Sequence, residues 1–324
     1  MSSFHSRFSS SALLSAVLLA LAPAAGAADY PTKPIRLVIG FAPGGGTDTT
    51  ARALSNKLSA SLNQQVVVDN RPGHSGTIAA DIVTKGTPDG HTVLLGTIAL
   101  VVNPSLSEKM PFDTLKDLAP VTRAADSTNI LVVHPSIAAK SVKELIALAK
   151  GKPLNGGSSG IGGTGHLAVE LFNLQAGTKI THVPYKGGGP AMVDLLGGNI
   201  HLIFATAASS IGHIKSGKIR AIAVTTAKRS ALVPDLPTVA ESGLAGYEAN
   251  NWNGFFVPAK TPRPIVNRLN KEITAALNAP DIKDFLFKQG LDAAPSTPEE
   301  FTAYMKSEMA KWAKVIKAAG IKPQ

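Results

Sequence analysis

Two stretches rich in glycine and hydroxyl residues carry the chemistry this chain could perform. The first, Leu37 to Leu54, is LVIGFAPGGGTDTTARAL. Leu37-Val38-Ile39 is a short apolar run with strand character, and Pro43-Gly44-Gly45-Gly46 breaks it. From Thr47 onward, Ala51, Leu54 and Leu58 fall on one helical face. Such a turn offers anion binding. Consecutive glycines let a ligand approach the backbone closely. The helix start that follows presents unpaired N–H groups and a partial positive charge. A carboxylate or phosphate is the simplest guest. The same turn can also do no more than redirect the chain between strand and helix. A second stretch of the kind, NGGSSGIGGTG at 155–165, leads into HLAVELF. Two such loops about a hundred residues apart predict two facing half-sites.

Other motifs in these loops are incomplete. Gly160-Ile161-Gly162-Gly163-Thr164-Gly165 fits G-x-G-x-x-G. A dinucleotide site also needs a sound strand before it and an acid about 20 residues later. Lys152-Pro153-Leu154-Asn155 makes a poor strand, and 178–189 contains no acid. Gly156-Gly157-Ser158-Ser159-Gly160 fits the G-x-S-x-G elbow, with Asp194 and His201 or His213 following in chain order. The further glycines make that turn slack where an elbow is tight, so a secreted serine hydrolase using Ser158 is the enzymatic alternative. Gly44-Gly45-Gly46 lacks the Gly-Lys-Ser/Thr of a P-loop. The eight histidines are dispersed, so neither a metal nor a cofactor is expected. His166, in the first turn of its helix, suits packing or capping better than base chemistry.

At 324 residues, 44% hydrophobic, the chain has room for two domains with sizeable cores. Its start reads as a signal peptide over 1–28: Arg7, an apolar run Ala12 to Ala22, then small residues, with cleavage after Ala27 or Ala28. There is no cysteine, hence no disulfide, thiolate site or lipidated cysteine. Export without a lipid anchor points to the periplasm. The net charge is +10, but basic residues are scattered and aromatics are only 5%. Stacking platforms for nucleic acid are therefore not expected, and a general attraction for anionic solutes fits better.

The elements alternate as expected for α/β layers. Strands are predicted at 35–39, 65–69 and 92–96, with helices at 47–61 and 75–85. The segment 100–118 reads as irregular because of Asn103-Pro104 and Met110-Pro111. Ala119 to Arg123 is a strand leaving the first domain, and Ile130 to Val133 opens the second. Ser141-Val142-Lys143-Glu144 is a capping box. Strands at 180–184, 200–205 and 219–225 follow, with Pro190 expected at the first position of a helix. Tyr247 to Pro258 returns the chain, and helices at 265–277 and 299–319 pack back on the first domain. The predicted domains are 29–124 with 251–324, and an inserted 125–250. Each is a mostly parallel sheet flanked by helices, with the cleft between them.

These segments, taken together, resemble the extracytoplasmic solute receptors of tripartite tricarboxylate transporters, the Bug receptors. PGGGTD at 43–48 and HVPYKGGGPA at 182–191 are the most specific matches. VVVDNRPGHSGTIA, PDGHTVLLGT, PDLPTVAESG and NWNGFFVPAKTP occur in family order, and the likeness covers nearly all of Asp29 to Gln324. It implies a two-lobed periplasmic protein, type II-like, that closes on a small organic carboxylate and serves integral-membrane transporter subunits. It implies no enzyme activity, no nucleic-acid partner and a monomer. In the family, backbone N–H groups and ordered waters of the two loops hold one carboxylate. Carried over, the first loop is Pro43, Gly44, Gly45, Gly46, Thr47 and Asp48; the second is Ser158, Ser159, Gly160, Ile161, Gly162, Gly163 and Thr164. Phe41, His166, Tyr185, Phe204 and Ala205 complete the expected site, and its aromatics leave room for a ring dicarboxylate such as terephthalate. Two positions depart from the pattern. Gly163 stands where many relatives have a small hydroxyl residue, and Ala205 where many have Asp. Asp48 either touches ligand or caps its helix. A receptor that signals to a sensor, rather than feeding a transporter, would show the same site.

Overall fold

The computed structural model describes residues 30–41, 43, 46–185 and 187–322. The expected signal peptide, and Gly44 and Gly45 of the first loop, lie outside the described residues. The first half runs β1 (Ile35–Ile39), α1 (Gly46–Leu62), β2 (Val66–Asn70), a 3-10 turn (His74–Gly76), α2 (Thr77–Thr84), β3 (Thr92–Thr97), α3 (Ala99–Leu106), α4 (Thr114–Asp117) and β4 (Leu118–Ser127). Next come β5 (Asn129–Val133), α5 (Val142–Gly151), β6 (Asn155–Ser158), α6 (Thr164–Ala176), β7 (Thr181–Pro184), α7 (Gly188–Leu196), β8 (Leu202–Thr206), α8 (Ala207–Lys215) and β9 (Arg220–Val224). The chain returns through β10 (Asn251–Pro258), α9 (Arg263–Asn278), α10 (Pro280–Lys288), β11 (Leu291–Ala293) and α11 (Pro298–Ala318).

Two sheets result, a six-stranded one ordered β11-β4-β10-β3-β1-β2 and a five-stranded one ordered β7-β6-β8-β5-β9. This is the expected two-lobed α/β architecture. The expectation of mostly parallel pairing needs correction, because both sheets are mixed. β1 pairs in parallel with β2 and β3, and β6 with β7 and β8. Pairs involving β4, β5, β10 and β11 are antiparallel. The strand–helix–strand units must run parallel, since a helix carries the chain back each time. The strands that lead from one sheet to the other arrive from the opposite end.

Three local expectations are overturned. The segment after β3 is helical, not irregular. Pro104 cannot donate to the Leu100 carbonyl, and the Thr114 hydroxyl, from fourteen residues on, donates to it instead at 2.8 Å. Gly156 and Gly157 belong to β6 rather than to a loop. A Cβ at Gly157 would lie 2.5 Å from Ile200 Cδ1, and one at Gly156 would crowd Ile180, Val169 and Leu202. These glycines give helix and strand room to pack. Pro190 is the third residue of α7, whose N-cap is Gly187. Its missing N–H is still one of the four that no helix bond uses.

The core explains the placement of the C-terminal helices. Ile265, Leu269 and Ile273 of α9 pack with Leu37, Leu54, Val93 and Phe255. α11 does more than cover the first sheet. Its Phe301, Met305 and Trp312 join an apolar layer that also holds Val38 and Leu94 from the first sheet, and Leu131, Phe172 and Phe204 from the second lobe.

Candidate functional site

A cavity of about 660 Å³ lies between the lobes and takes its walls from both. From the first lobe come Phe41, Thr47 and Thr49 beyond β1, Ser75 beyond β2, and Thr97, Ile98 and Ala99 at the end of β3. Asn251 and Asn253 of β10, Ser127 of β4, and Gln289 and Leu291 at β11 continue the same edge. Five strand spacings of about 4.8 Å make that edge roughly 24 Å long. The second lobe faces it with Ser159 to Thr164 beyond β6, and Thr206 and Ala208 beyond β8. Val102, Asn103 and Leu106 of α3 complete the lining.

Four helices start at this cavity, α1, α3, α6 and α8. The N-cap residues of the last three, Ile98, Gly163 and Thr206, make no side-chain capping bond. The first N–H groups of α3 and α8 are already taken, Ala99 N–H by Thr97 Oγ1 at 3.3 Å and Ala207 N–H by the Thr128 carbonyl at 2.8 Å, so these helix ends act on a guest chiefly through the partial positive charge their dipoles point inward. Among the described residues lining the cavity there is no Asp, Glu, Lys, Arg or His. An anion held here would be held by dipoles, amides and hydroxyls. Desolvating those groups costs less than desolvating a full charge.

The expected site residues divide into wall and support. Phe41, Thr47, Ser159, Gly160, Ile161, Gly162, Gly163 and Thr164 are on the wall. Pro43 is exposed and off it. Asp48 is 3% exposed and also off it. Its carboxylate accepts from Arg52 Nε at 2.9 Å and Asn70 Nδ2 at 3.0 Å. Asn70 Nδ2 also donates to the Phe41 carbonyl at 3.0 Å, so Asp48 braces the first loop against β2. Tyr185 reaches sideways to donate to Asp194 at 2.7 Å. Phe204 is buried against Phe172 and Tyr247, and Ala205 faces the second lobe's own core. Of the three aromatics expected at the site, only Phe41 lines it.

Ser158 and His166 form a support beneath the second loop. Ser158 Oγ accepts from Gly160 N–H at 3.1 Å and lies 2.6 Å from His182 Nε2. His166 stacks on His182 at 3.8 Å, and its Nδ1 accepts the Gly162 N–H at 3.0 Å. The histidine paired with Ser158 is His182, not the His201 or His213 that the sequence offered for a hydrolase. Asp194 is bonded to Tyr185 and Asn199, and His201 Nδ1 accepts from Asn155 N–H.

Burial lowers His166, and burial with the neighbouring His166 pushes His182 down to about 4. Both are neutral in the folded protein near neutrality, which leaves Nδ1 of His166 free to accept. An unfolded histidine titrates near 6.5. As pH falls from there the unfolded chain takes up protons first, and the pair's contribution to stability drops until about pH 4. Asp126, pushed up to about 6 chiefly by burial, works in the opposite sense over part of that range. The isolating measurement is the melting temperature of wild type against His182→Gln. The wild type should lose ground to the variant between pH 7 and pH 4; parallel curves would remove the histidine pair from the loop's support.

Sequence motifs pointed to the two loops but not to Thr49, Ser75, Thr97, Ser127, Thr206, Asn251, Asn253 or Gln289. The alternation in Asn251-Trp252-Asn253 is the one local signal that could have found two of them.

The model for "Tripartite tricarboxylate transporter family receptor" matches residues 50–321. Protein BugT of Bordetella pertussis is 37% identical over 297 residues, 90% of this chain and 91% of that protein. The structure of R. palustris Rpa4515 with adipate is 39% identical, with a TM-score of 0.76, covering 91% of this chain and all of that one. MatC (Rpa3494) from Rhodopseudomonas palustris with bound malate is 28% identical, with a TM-score of 0.70, covering 89% of this chain and 100% of that one.

Proposed function

Because the chain belongs to the tripartite tricarboxylate transporter receptor family, we propose that it captures a small organic carboxylate by lobe closure and delivers it to the transporter's membrane subunits. The family is one of solute-binding receptors. The observation that carries the reading is the cavity between the lobes, where four helix starts converge and no charged side chain is found among the described lining residues. The relatives seen with adipate and malate support a dicarboxylate as guest.

In this reading the two glycine loops, Pro43 to Thr47 and Ser159 to Thr164, grip one carboxylate through backbone N–H groups, with water bridging where the fit is loose. Residues 29–124 with 251–324 form one lobe and the inserted 125–250 the other. Pairing of β4 with β10 as far as Ser127 supports a crossing at Thr128. Export by the 1–28 segment and action as a monomer belong to the same proposal.

Thermal shift against a panel of mono-, di- and tricarboxylates is the test. At a hundred times its Kd a true ligand adds about 2.7 kcal/mol of stability. A panel in which no carboxylate raises the melting temperature would overturn the receptor reading.

A further inference from the structure

We propose that the end of the second lobe farthest from the cleft binds an anionic phospholipid surface. Every strand of the five-stranded sheet has one end there, since Thr181 lies beside Asn155, Gly156 beside Leu202, and Val133 beside both Leu202 and Arg220. The connections at this edge are 134–141, 152–154, 177–180, 197–201 and 216–219. They contain Lys140, Lys152, Lys179 and Lys218 and no Asp or Glu. Lys150 and Lys215 join them from the last turns of α5 and α8. All of these lysines are exposed. Scattered along the chain, they are gathered by the sheet onto an edge about 19 Å long, four strand spacings of about 4.8 Å. Burial first, then the nearby charges of Lys152 and His134, hold His201, in the middle of this edge, below its ordinary pKa.

These charges are unspent. The ion pairs of the second lobe among the described residues, His166 with Glu170 and Arg229 with Glu241, involve none of them. Two acids flank the edge, but Glu144 accepts from the Lys140 backbone N–H at 2.8 Å, and Asp194 accepts from Tyr185 and Asn199. The far end of the first lobe differs. There Lys33, Lys85, Lys116 and Arg263 each face a carboxylate, Asp89, Asp81, Asp113 and Glu299. Helix dipoles account for the positions of Lys150 and Lys215, but not for the missing acids. Composition points to the partner. Protein interfaces favour arginine and aromatic rings and are poor in lysine. The arginine here, Arg220, donates its Nη1 to the Ile137 and Ala139 carbonyls at 2.8 and 3.4 Å. The second lobe exposes no Phe, Tyr or Trp among the described residues, so it has no ring to stack on a base. Flexible lysines suit phosphates that drift in a fluid layer and are met as point charges. The strands run about 16 Å from this edge to the cleft, so lipid contact leaves the cavity free. It would hold the receptor on the membrane, beside the subunits of the reading above.

Co-sedimentation with vesicles is the test, using phosphatidylcholine alone or with about a third phosphatidylglycerol. Wild type should bind the anionic vesicles at least about tenfold more strongly, and should release them near 1 M salt, where the screening length falls to about 3 Å. Lys150→Gln, Lys152→Gln, Lys215→Gln and Lys218→Gln combined should weaken binding at least about tenfold. The same change at Lys260, Lys271, Lys306 and Lys314, exposed on the first lobe, alters net charge equally and should weaken it less than about threefold. Melting curves check that each variant is folded. Should the fourfold variant not fold, Lys152→Gln with Lys218→Gln serves the same comparison. Equal losses in the two variants, or equal binding to the two kinds of vesicle, overturn the inference. So does a receptor that ignores lipid vesicles yet binds native membranes until they are treated with protease, because it then docks on protein. None of these outcomes bears on the carboxylate reading, which the thermal-shift panel tests by itself.

Discussion

Replacing Gly162 with valine is expected to raise the Kd for carboxylate at least tenfold while leaving the fold in place. Gly162 sits at the centre of the second loop with φ +75°, a left-handed conformation that β-branched residues avoid. Holding a non-glycine residue there costs about 1–3 kcal/mol. A Cβ at this position would also lie 2.5 Å from Cδ1 of Leu106, which comes from the opposite lobe. Leucine can swing aside, so the backbone conformation is the larger effect and the contact the smaller. The strain is relieved most easily by the loop itself, which would release the Gly162 N–H from His166 Nδ1. A shifted loop no longer aligns its N–H groups with the start of α6. Tenfold in affinity corresponds to about 1.4 kcal/mol, within reach of the strain alone. Calorimetry measures the affinity, and circular dichroism with a melt checks the fold. A valine variant that binds as tightly as wild type would show that this loop does not grip the guest.

The largest loss of stability should follow Phe301→Ala, at about 3–5 kcal/mol. Phe301 is 1% exposed and packs edge-on to Trp252 and at 5.1 Å between centroids to Phe256. Its ring fills the space left by Gly254, where any Cβ would overlap it. No neighbour can collapse into the gap easily, because β10 is held on both sides by β3 and β4. The cavity so made would lie directly behind the strand that carries Asn251 and Asn253, so ligand affinity should weaken as well. The denaturant midpoint should fall with little change in slope. A loss below about 1 kcal/mol would mean that α11 is not anchored through this ring.

Local signals in the chain foretold the elements that local forces build. β1 forms at Ile35–Ile39 as its apolar run suggests, and α1 starts one residue before Thr47. α5 opens at Ser141, whose Oγ accepts from Glu144 N–H at 3.2 Å. Caps, turns and periodicity act over a few residues, so a few residues reveal them. α3 escaped notice because the group that rescues its proline, the Thr114 hydroxyl, lies far along the chain. β6 escaped because Gly156 and Gly157 look like loop until Ile180, Val169, Ile200 and Leu202 close around them.

The site divides along the same line. From its residues alone the chain announced two glycine loops able to hold an anion, and the absence of a complete catalytic or metal motif. It did not announce that Asp48, Ser158 and His166 support those loops from behind, or that Tyr185 and Phe204 point elsewhere. Nor did it announce the other wall, where Thr97, Asn253, Ser127 and Leu291 are adjacent only because β3, β10, β4 and β11 are neighbours in the sheet. Strand order is set by which apolar faces pack together across the whole molecule, and no short window of residues contains that information.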